Sequence, residues 1–265
     1  FKKNFLKKLI LSIYIYFNSS NVFLNKLFGF FKFKDRIKVY YGGSLKGSLG
    51  GTLVKIKRLN EVFQNNNIKF NTVYLLSNSI YLNKFSLSAL KKSKIPIIHN
   101  QNGVFYKGWY GEGWQEKNNQ ISFQYHLADY VFYQSNFSKF CSHKFLGKRE
   151  GPSEILYNAV DNNFFSPNKK KTLSSELKIL VTGKYQQHLY YSLEFIINIL
   201  NQLNKNKIQA SINFAGYYDP MVIKKIFNLA RTYNIHDRIK FSGIYKQGEA
   251  NFIYNSADIY FYFVH

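Results

Sequence analysis

ADYVFYQSNFSKFCSHKFLGKREGPSEILYNAVDNNFFSP, residues 128–167, decides how this chain is read. Tyr130 to Gln134 is a short apolar run bounded by polar residues, which predicts a buried strand. Ser135 stops it and can cap a helix, because its hydroxyl accepts from a free N–H of the first turn. The helix that follows is expected to bury Phe137, Phe140, Cys141 and Phe145 on one face. Gly147 and the Gly151-Pro152 pair end it. A second strand, Glu154 to Tyr157, then runs into a tight turn at Asn158, Ala159, Val160 and Asp161.

Outward from this stretch the same alternation continues. Upstream lie a strand at Ile37 to Tyr41, the glycine-rich run GGSLKGSLGG (42–51) and a helix from about Thr52 to Asn65. A strand at Thr72 to Leu76, a helix from about Ile80 to Lys92 and a strand at Pro96 to His99 come next. Downstream, the polar run NKKKTLSSE (168–176) reads as a linker. Beyond it are a strand from Leu177 to Thr182, a helix from about Leu189 to Asn204 and a strand from Ala210 to Ala215. Asp219-Pro220 then opens a helix to Tyr233, with proline at the first helical position. A strand from Arg238 to Phe241, a helix from about Gly248 to Ser256 and a strand from Asp258 to Val264 complete the run. Strands alternating with helices at short intervals predict parallel, doubly wound α/β sheets.

The patterns AD-x-V-x-x-QS-x-F and ILYNAVD-x-x-x-F-x-P resemble the end of the N-terminal domain in GT-B glycosyltransferases of family four. FAG…I-x-DRIKFSG…Y-x-x-ADI, between Phe214 and Ile259, is similar to that family's donor domain. The resemblance runs from about Ile37 to the last residue. It implies two Rossmann-like domains facing a cleft: a basic leader (1–36), an acceptor-side domain (37–167), the linker (168–176) and an incomplete donor domain (177–265). It also implies transfer of a sugar from a nucleotide-diphosphate sugar to a saccharide or lipid-linked acceptor, as in lipopolysaccharide or other cell-envelope glycan synthesis.

A strand, a glycine-rich turn and a helix N-terminus together favour an anion, since free N–H groups and the helix dipole converge there. The loop contains neither G-x-G-x-x-G nor a Walker pattern, because Ser48 and Leu49 follow Gly47. By resemblance Gly42, Gly43, Gly47, Gly50 and Gly51 approach the donor, and a flexible turn without ligand stays the alternative. In the donor domain the resemblance places Gly183 and Lys184 at the pyrophosphate, where relatives carry an arginine, and Gly243, Ile244 and Tyr245 at the base.

NQNGVFYKGWYGEGW, residues 100–114, follows a strand and holds both tryptophans. Amides and aromatic rings at the carboxyl end of a parallel strand suit a sugar, whose C–H faces stack on rings while its hydroxyls bond amides. Asn100, Gln101, Asn102, Gly103, Tyr106, Trp109 and Trp114 are therefore the acceptor-side candidates; an aromatic cluster pinning the loop is the alternative. Relatives carry a histidine where Asn102 stands. Asn102 cannot serve as a base, which leaves His99 as the other catalytic candidate.

The sequence has 265 residues, is 46% hydrophobic and has a formal charge of +23. It has core-forming composition, and its lysines are scattered instead of forming one stripe, so nucleic acid is not the expected partner. The single cysteine, Cys141, excludes a disulfide framework and a cysteine-rich zinc site, and is expected in the core. No cofactor or metal is expected: D-x-D is absent and the histidines are dispersed. Residues 1–33 mix lysines with apolar and aromatic residues, but Asn18 to Asn21 interrupt the apolar run. A membrane span needs about 20 apolar residues. Two readings stay open for this leader: a basic helix lying on an anionic membrane surface, or a helix packed on the domain. A cytoplasmic protein, peripheral on the inner membrane face, is the matching expectation. The chain opens on Phe1 and lacks the paired glutamates of relatives, so a piece of a longer enzyme, inactive alone, is expected. The rivals are another GT-B enzyme, such as a phosphorylase or epimerase, and a basic nucleic-acid-binding module.

Overall fold

The computed structural model describes residues 2–28, 36–46, 51–167 and 175–263. The chain forms two compact units, Phe1–Tyr106 with Glu112–Asn158, and Lys107–Gly111 with Ala159–His265. The leader therefore groups with the first unit, and most of the predicted linker (168–174) lies outside the described residues.

In chain order the first unit contains α1 (Lys2–Phe28), β1 (Val39–Tyr40), α2 (Gly51–Val62), β2 (Thr72–Leu76), α3 (Lys84–Lys92) and β3 (Ile97–Gln101). The short α4 (Lys107–Tyr110) groups with the second unit; α5 (Trp114–Leu127), β4 (Tyr130–Tyr133), α6 (Asn136–Leu146) and β5 (Ser153–Ile155) return to the first. Its sheet is wholly parallel, in the order β1-β2-β3-β4-β5.

Alternate strand residues face opposite sides. Tyr40, Val73, Leu75, Ile97, Val131 and Tyr133 pack with residues of α1, α3, α5 and α6. Val39, Tyr41, Tyr74 and Leu76 pack with Ile56 and Leu59 of α2. The α2 connection reaches β2 by way of Asn65, which bridges Val39 in parallel, and Phe70, which packs on the opposite face against Tyr40.

Two aspartates do the same job in the two units. Asp129 stands just before β4; its Oδ2 accepts from Ile97 N (2.9 Å), its own N donates to Ile97 O (2.8 Å) and Oδ1 pairs with Lys91. Asp258 accepts from Lys178 N at 2.8 Å and donates to Lys178 O at 2.7 Å. Each Ala-Asp pair thus ties the entry of one strand to its neighbour, which gives the motif a structural reason.

Ser135 caps α6 as predicted, accepting from Ser138 N at 3.0 Å. The buried stripe differs from the expected one. Ser138, Ser142 and Leu146 are buried, Cys141 and Phe145 are partly so, and Phe137 and Phe140 are 73% and 62% exposed. Ser138 Oγ donates to Gln101 O (3.3 Å) and Ser142 Oγ to Ser138 O (2.7 Å). Small, internally bonded serines let this helix lie close to β3, which turns the two phenylalanines outward.

The leader packs by its polar residues. Tyr40 Oη donates to Asn18 O (3.0 Å), and Asn25 Nδ2 donates to Ile68 O (2.7 Å) and Phe70 O (2.9 Å). Ser19 Oγ accepts from Asn83 N at 3.1 Å. The residues that interrupt the apolar run are therefore its packing face, while Leu6, Ile10, Ile13, Phe17 and Leu27 are exposed. Among the described residues no helix is long and apolar enough to cross a membrane.

The second unit contains β6 (Leu177–Tyr185), α7 (Tyr190–Lys205), β7 (Ala210–Tyr218), α8 (Pro220–Thr232), β8 (Ile239–Gly243), α9 (Ala250–Asn255) and β9 (Ile259–Phe261). Asp219 caps α8 through Met221 N, with Pro220 at the first position. The parallel order is β8-β7-β6-β9, so the winding reverses at the β6–β9 boundary. Apolar residues of α7 and α8 share one core with Ile179, Val181, Ile212 and Phe214. On the other face the Tyr254 ring of α9 meets Tyr260 edge-on at 5.2 Å.

Candidate functional site

In open parallel sheets ligands bind beyond the carboxyl ends of the strands, where winding reverses. In the second unit that edge is built from β6, β7, β8 and β9. β6 was expected to end at Thr182, before Gly183-Lys184; it runs on to Tyr185 because Gly183 pairs with Gly216 of β7. A Cβ on Gly216 would lie 2.1 Å from Gly183 O, and Gly216 has φ +131. The strands can stay together here only with glycine at that position. Beyond the pair, the buried rings of Tyr185 and Tyr218 stack at 5.2 Å. Lys184 is exposed, with Nζ 5.9 Å from the centre of the Tyr217 ring.

At the reversal Thr182 Oγ1 and Tyr260 Oη are 2.9 Å apart. Burial pushes the Tyr260 phenol up to about 12 and raises Tyr245, which also interacts with Tyr254 and Thr182. Thr182, Tyr245, Tyr254 and Tyr260 thus gather neutral hydroxyls and ring faces at one point of the edge. Of the residues expected at the base, Gly243 ends β8, Ile244 is exposed and Tyr245 belongs to this cluster. Sequence reasoning missed Thr182, Tyr254 and Tyr260. Their signal was present only as tyrosine abundance near a final strand.

The equivalent edge of the first unit is a polar one. Gly42 and Gly43 follow β1, and both are crowded by protein. A Cβ on Gly42 would lie 2.7 Å from Leu75 Cδ2, and one on Gly43 would lie 2.5 Å from Asn18 Oδ1. Tyr14 Oη donates to Gly43 O at 2.5 Å. Packing of α1 and β2 therefore accounts for these two glycines without a ligand. Gly47 and Gly50 lie outside the described residues, and Gly51 is the first residue of α2.

At the end of β3, His99, Asn100 and Gln101 are fully buried. Gln124 Nε2 donates to His99 Nδ1 (3.0 Å) and to Leu76 O (3.1 Å), so His99 carries its proton on Nε2 and gives it to Gln101 Oε1 (2.7 Å). Burial pushes its pKa down to about 4. A ring with both nitrogens engaged and no exposure is not placed to take a proton from a substrate. This corrects His99 as a catalytic candidate: it orders the strand end. Gln101 is likewise committed, donating to Gly103 O at 2.6 Å.

Asn102 keeps its backbone fixed by Ser77 Oγ (3.1 Å) and by Gln134, while its side-chain Nδ2 is enclosed without a partner. Asn100 Oδ1 accepts from Lys55 Nζ at 3.4 Å. Lys55 had no signal in a lysine-rich sequence, since only the fold brings α2 over β3. Of the aromatic candidates, Trp114 opens α5 and meets Phe145 edge-on at 5.8 Å, and Tyr106 closes the same unit's segment. Trp109 belongs to the second unit, where its carbonyl accepts from His188 Nε2 at 2.8 Å. The two tryptophans thus fall in different units.

No protein-family model and no curated protein matches the sequence. Solved structures similar to the chain include HepE from Anabaena in complex with UDP, with a TM-score of 0.51 and 14% identity over 78% of this chain and 55% of that one. The same protein with UDP and glucose gives 0.52 and 15% identity, over 81% and 57%. A glycosyltransferase from Rickettsia africae gives 0.52 and 14% identity, again over 81% and 57%. The chain thus spans little more than half the length of the structures it matches. The likeness is one of fold, and with the two parallel sheets it establishes the α/β GT-B architecture that the sequence led us to expect.

Proposed function

We propose that this GT-B chain is a glycosyltransferase, moving a hexose-type sugar from a nucleotide-diphosphate sugar to a saccharide or lipid-linked acceptor in cell-envelope or surface glycan synthesis. The observation that carries the reading is the carboxyl edge of the second sheet. There the Gly183–Gly216 pair, the Lys184 ammonium and the Thr182–tyrosine cluster lie at the strand ends around the reversal of winding. The fold likeness to a protein solved with UDP and glucose supports the same donor class.

In this reading Lys184 stabilises charge on the departing diphosphate, and a tyrosine face receives the base. Lysine offers a point charge without arginine's fork, so its hold on the phosphates is less directional. With His99 enclosed and Asn102 unable to act as a base, electrostatic help to the leaving group is the contribution assigned to the chain. Asn102, Gly103, Tyr106 and Trp114, all of the first unit, remain the proposed acceptor contacts. The outward apolar face of α1, followed along the sequence by lysines and no acid before Asp35, supports peripheral contact with an anionic membrane on the cytoplasmic side.

The test is thermal stabilisation by UDP-, GDP- and ADP-sugars, since a ligand of the native state raises the melting temperature by mass action. A shift with one nucleotide class that Lys184→Ala removes is expected. A shift untouched by Lys184→Ala, or none with any nucleotide sugar, would overturn the assignment. Steeply salt-dependent oligonucleotide binding in its place would favour the nucleic-acid module.

A further inference from the structure

Beneath α2 in the first unit, several enclosed polar atoms lack hydrogen-bond partners. Lys55 lies one turn into α2 beside Ile56, which is buried against Val39, Tyr41, Tyr74 and Leu76. Its Nζ donates to Asn100 Oδ1 at 3.4 Å. Burial pushes the Lys55 pKa down. Among the described residues no carboxylate pairs with this ammonium.

Asn100 is fully buried, and its Nδ2 has no hydrogen-bond partner. Reversing the amide would not help, because it would turn two N–H donors toward an ammonium. The Tyr74 hydroxyl beside it offers one acceptor. Two residues further along the chain, the Asn102 Nδ2 is enclosed without a partner, and beyond the end of β1 so is Ser44 Oγ. The N-terminus of α2, whose first N–H groups have no partner within the helix, lies at the same carboxyl edge. Enclosed polar groups without partners are costly, and a half-buried ammonium without a counter-charge adds to that cost. A multi-oxygen anion satisfies both at once.

We propose that Lys55 and Asn100 form an oxyanion site within the first unit, taking a phosphate-type group. It rests on the transferase reading only for the natural source of that group, free phosphate or the phosphate of a nucleotide sugar. The lysine supplies charge, the Asn100 amide one directed N–H, and the start of α2 further donors.

The experiment uses the full chain, unfolded thermally in chloride and in inorganic phosphate at matched ionic strength. Phosphate is expected to raise the melting temperature of the wild type. Lys55→Met should weaken that response at least about tenfold, the worth of a charge-assisted hydrogen bond. In chloride the same variant should melt no lower than the wild type, because it removes an unanswered charge. Asn100→Asp places a carboxylate opposite Lys55 and should raise stability in chloride while abolishing the phosphate response. No phosphate response in the wild type, or an equal one in Lys55→Met, overturns the site. Should Lys55→Met fail to fold, a phosphate response retained by Asn100→Asp overturns it equally. Competition between phosphate and a UDP-sugar would identify the nucleotide as source, and independent binding would identify free phosphate. Lys184→Ala should keep the phosphate response, so the site and the donor assignment can fail separately.

Discussion

Gly216 faces Gly183 across two parallel strands so closely that a Cβ on Gly216 would sit 2.1 Å from the Gly183 carbonyl oxygen. Contact with a backbone atom cannot be relieved by rotating a side chain. Gly216→Ala is therefore expected to cost about 2 kcal/mol or more, by steric displacement and by strain at φ +131. Gly103→Ala is the control, because nothing lies within 4 Å of its Cβ position; it should stay within about 0.5 kcal/mol of wild type. Urea denaturation of both variants decides the matter, and equal stabilities would show that the pair has no packing role.

His99 gives the fold a pH dependence of known sign. Its folded pKa, about 4, lies below the ordinary 6.5, so between those values the unfolded chain binds a proton that the folded state refuses. Stability must then fall as pH falls through that window. From pH 7 to 5 the loss from this one ring is about 2 kcal/mol. His143 is shifted in the same direction by burial and by Lys139 and Lys148, so the contribution of His99 is read by difference. His99→Gln should lose about that much less stability over the same interval. Parallel losses in wild type and variant would mean that the ring is reached by protons in the folded state.

The order of strands and helices was legible because each Ser cap and glycine end acts within a few residues. Asp129 and Asp258 stand just before the strands they introduce, but the partners they hold through side-chain oxygen and backbone N–H, Ile97 and Lys178, lie 32 and 80 residues back. Faces were less legible. On α6 the sequence favoured phenylalanines for burial, yet serines went in, since close approach to β3 rewards small side chains that bond internally. The candidate site was legible as an edge and not as a set of partners. Lys55 meets Asn100, and Thr182 meets Tyr260, across separations of 45 and 78 residues, which no local pattern encodes. His99 failed as a base because its partner, Gln124, comes from the helix after its own strand.

α1 separates two properties that usually travel together, apolar character and burial. Asn25 is buried and donates to both Ile68 O and Phe70 O. Asn25→Leu would remove the partner of two carbonyls at once and should destabilise the first unit by about 2 kcal/mol or more. The opposite face behaves differently. Ile10, Ile13 and Phe17 are exposed, so Ile13→Ser with Phe17→Ser should leave the urea midpoint unchanged. If that face meets a membrane, the same double variant loses co-sedimentation with vesicles of phosphatidylglycerol and phosphatidylcholine. Wild-type binding should also weaken with salt, because Lys7 and Lys8 on the same helix add attraction to anionic headgroups. Vesicle binding retained by the double variant would remove the membrane role from α1. A concentration-dependent change in mass abolished by the same substitutions, without vesicle binding, would assign the face to another helix.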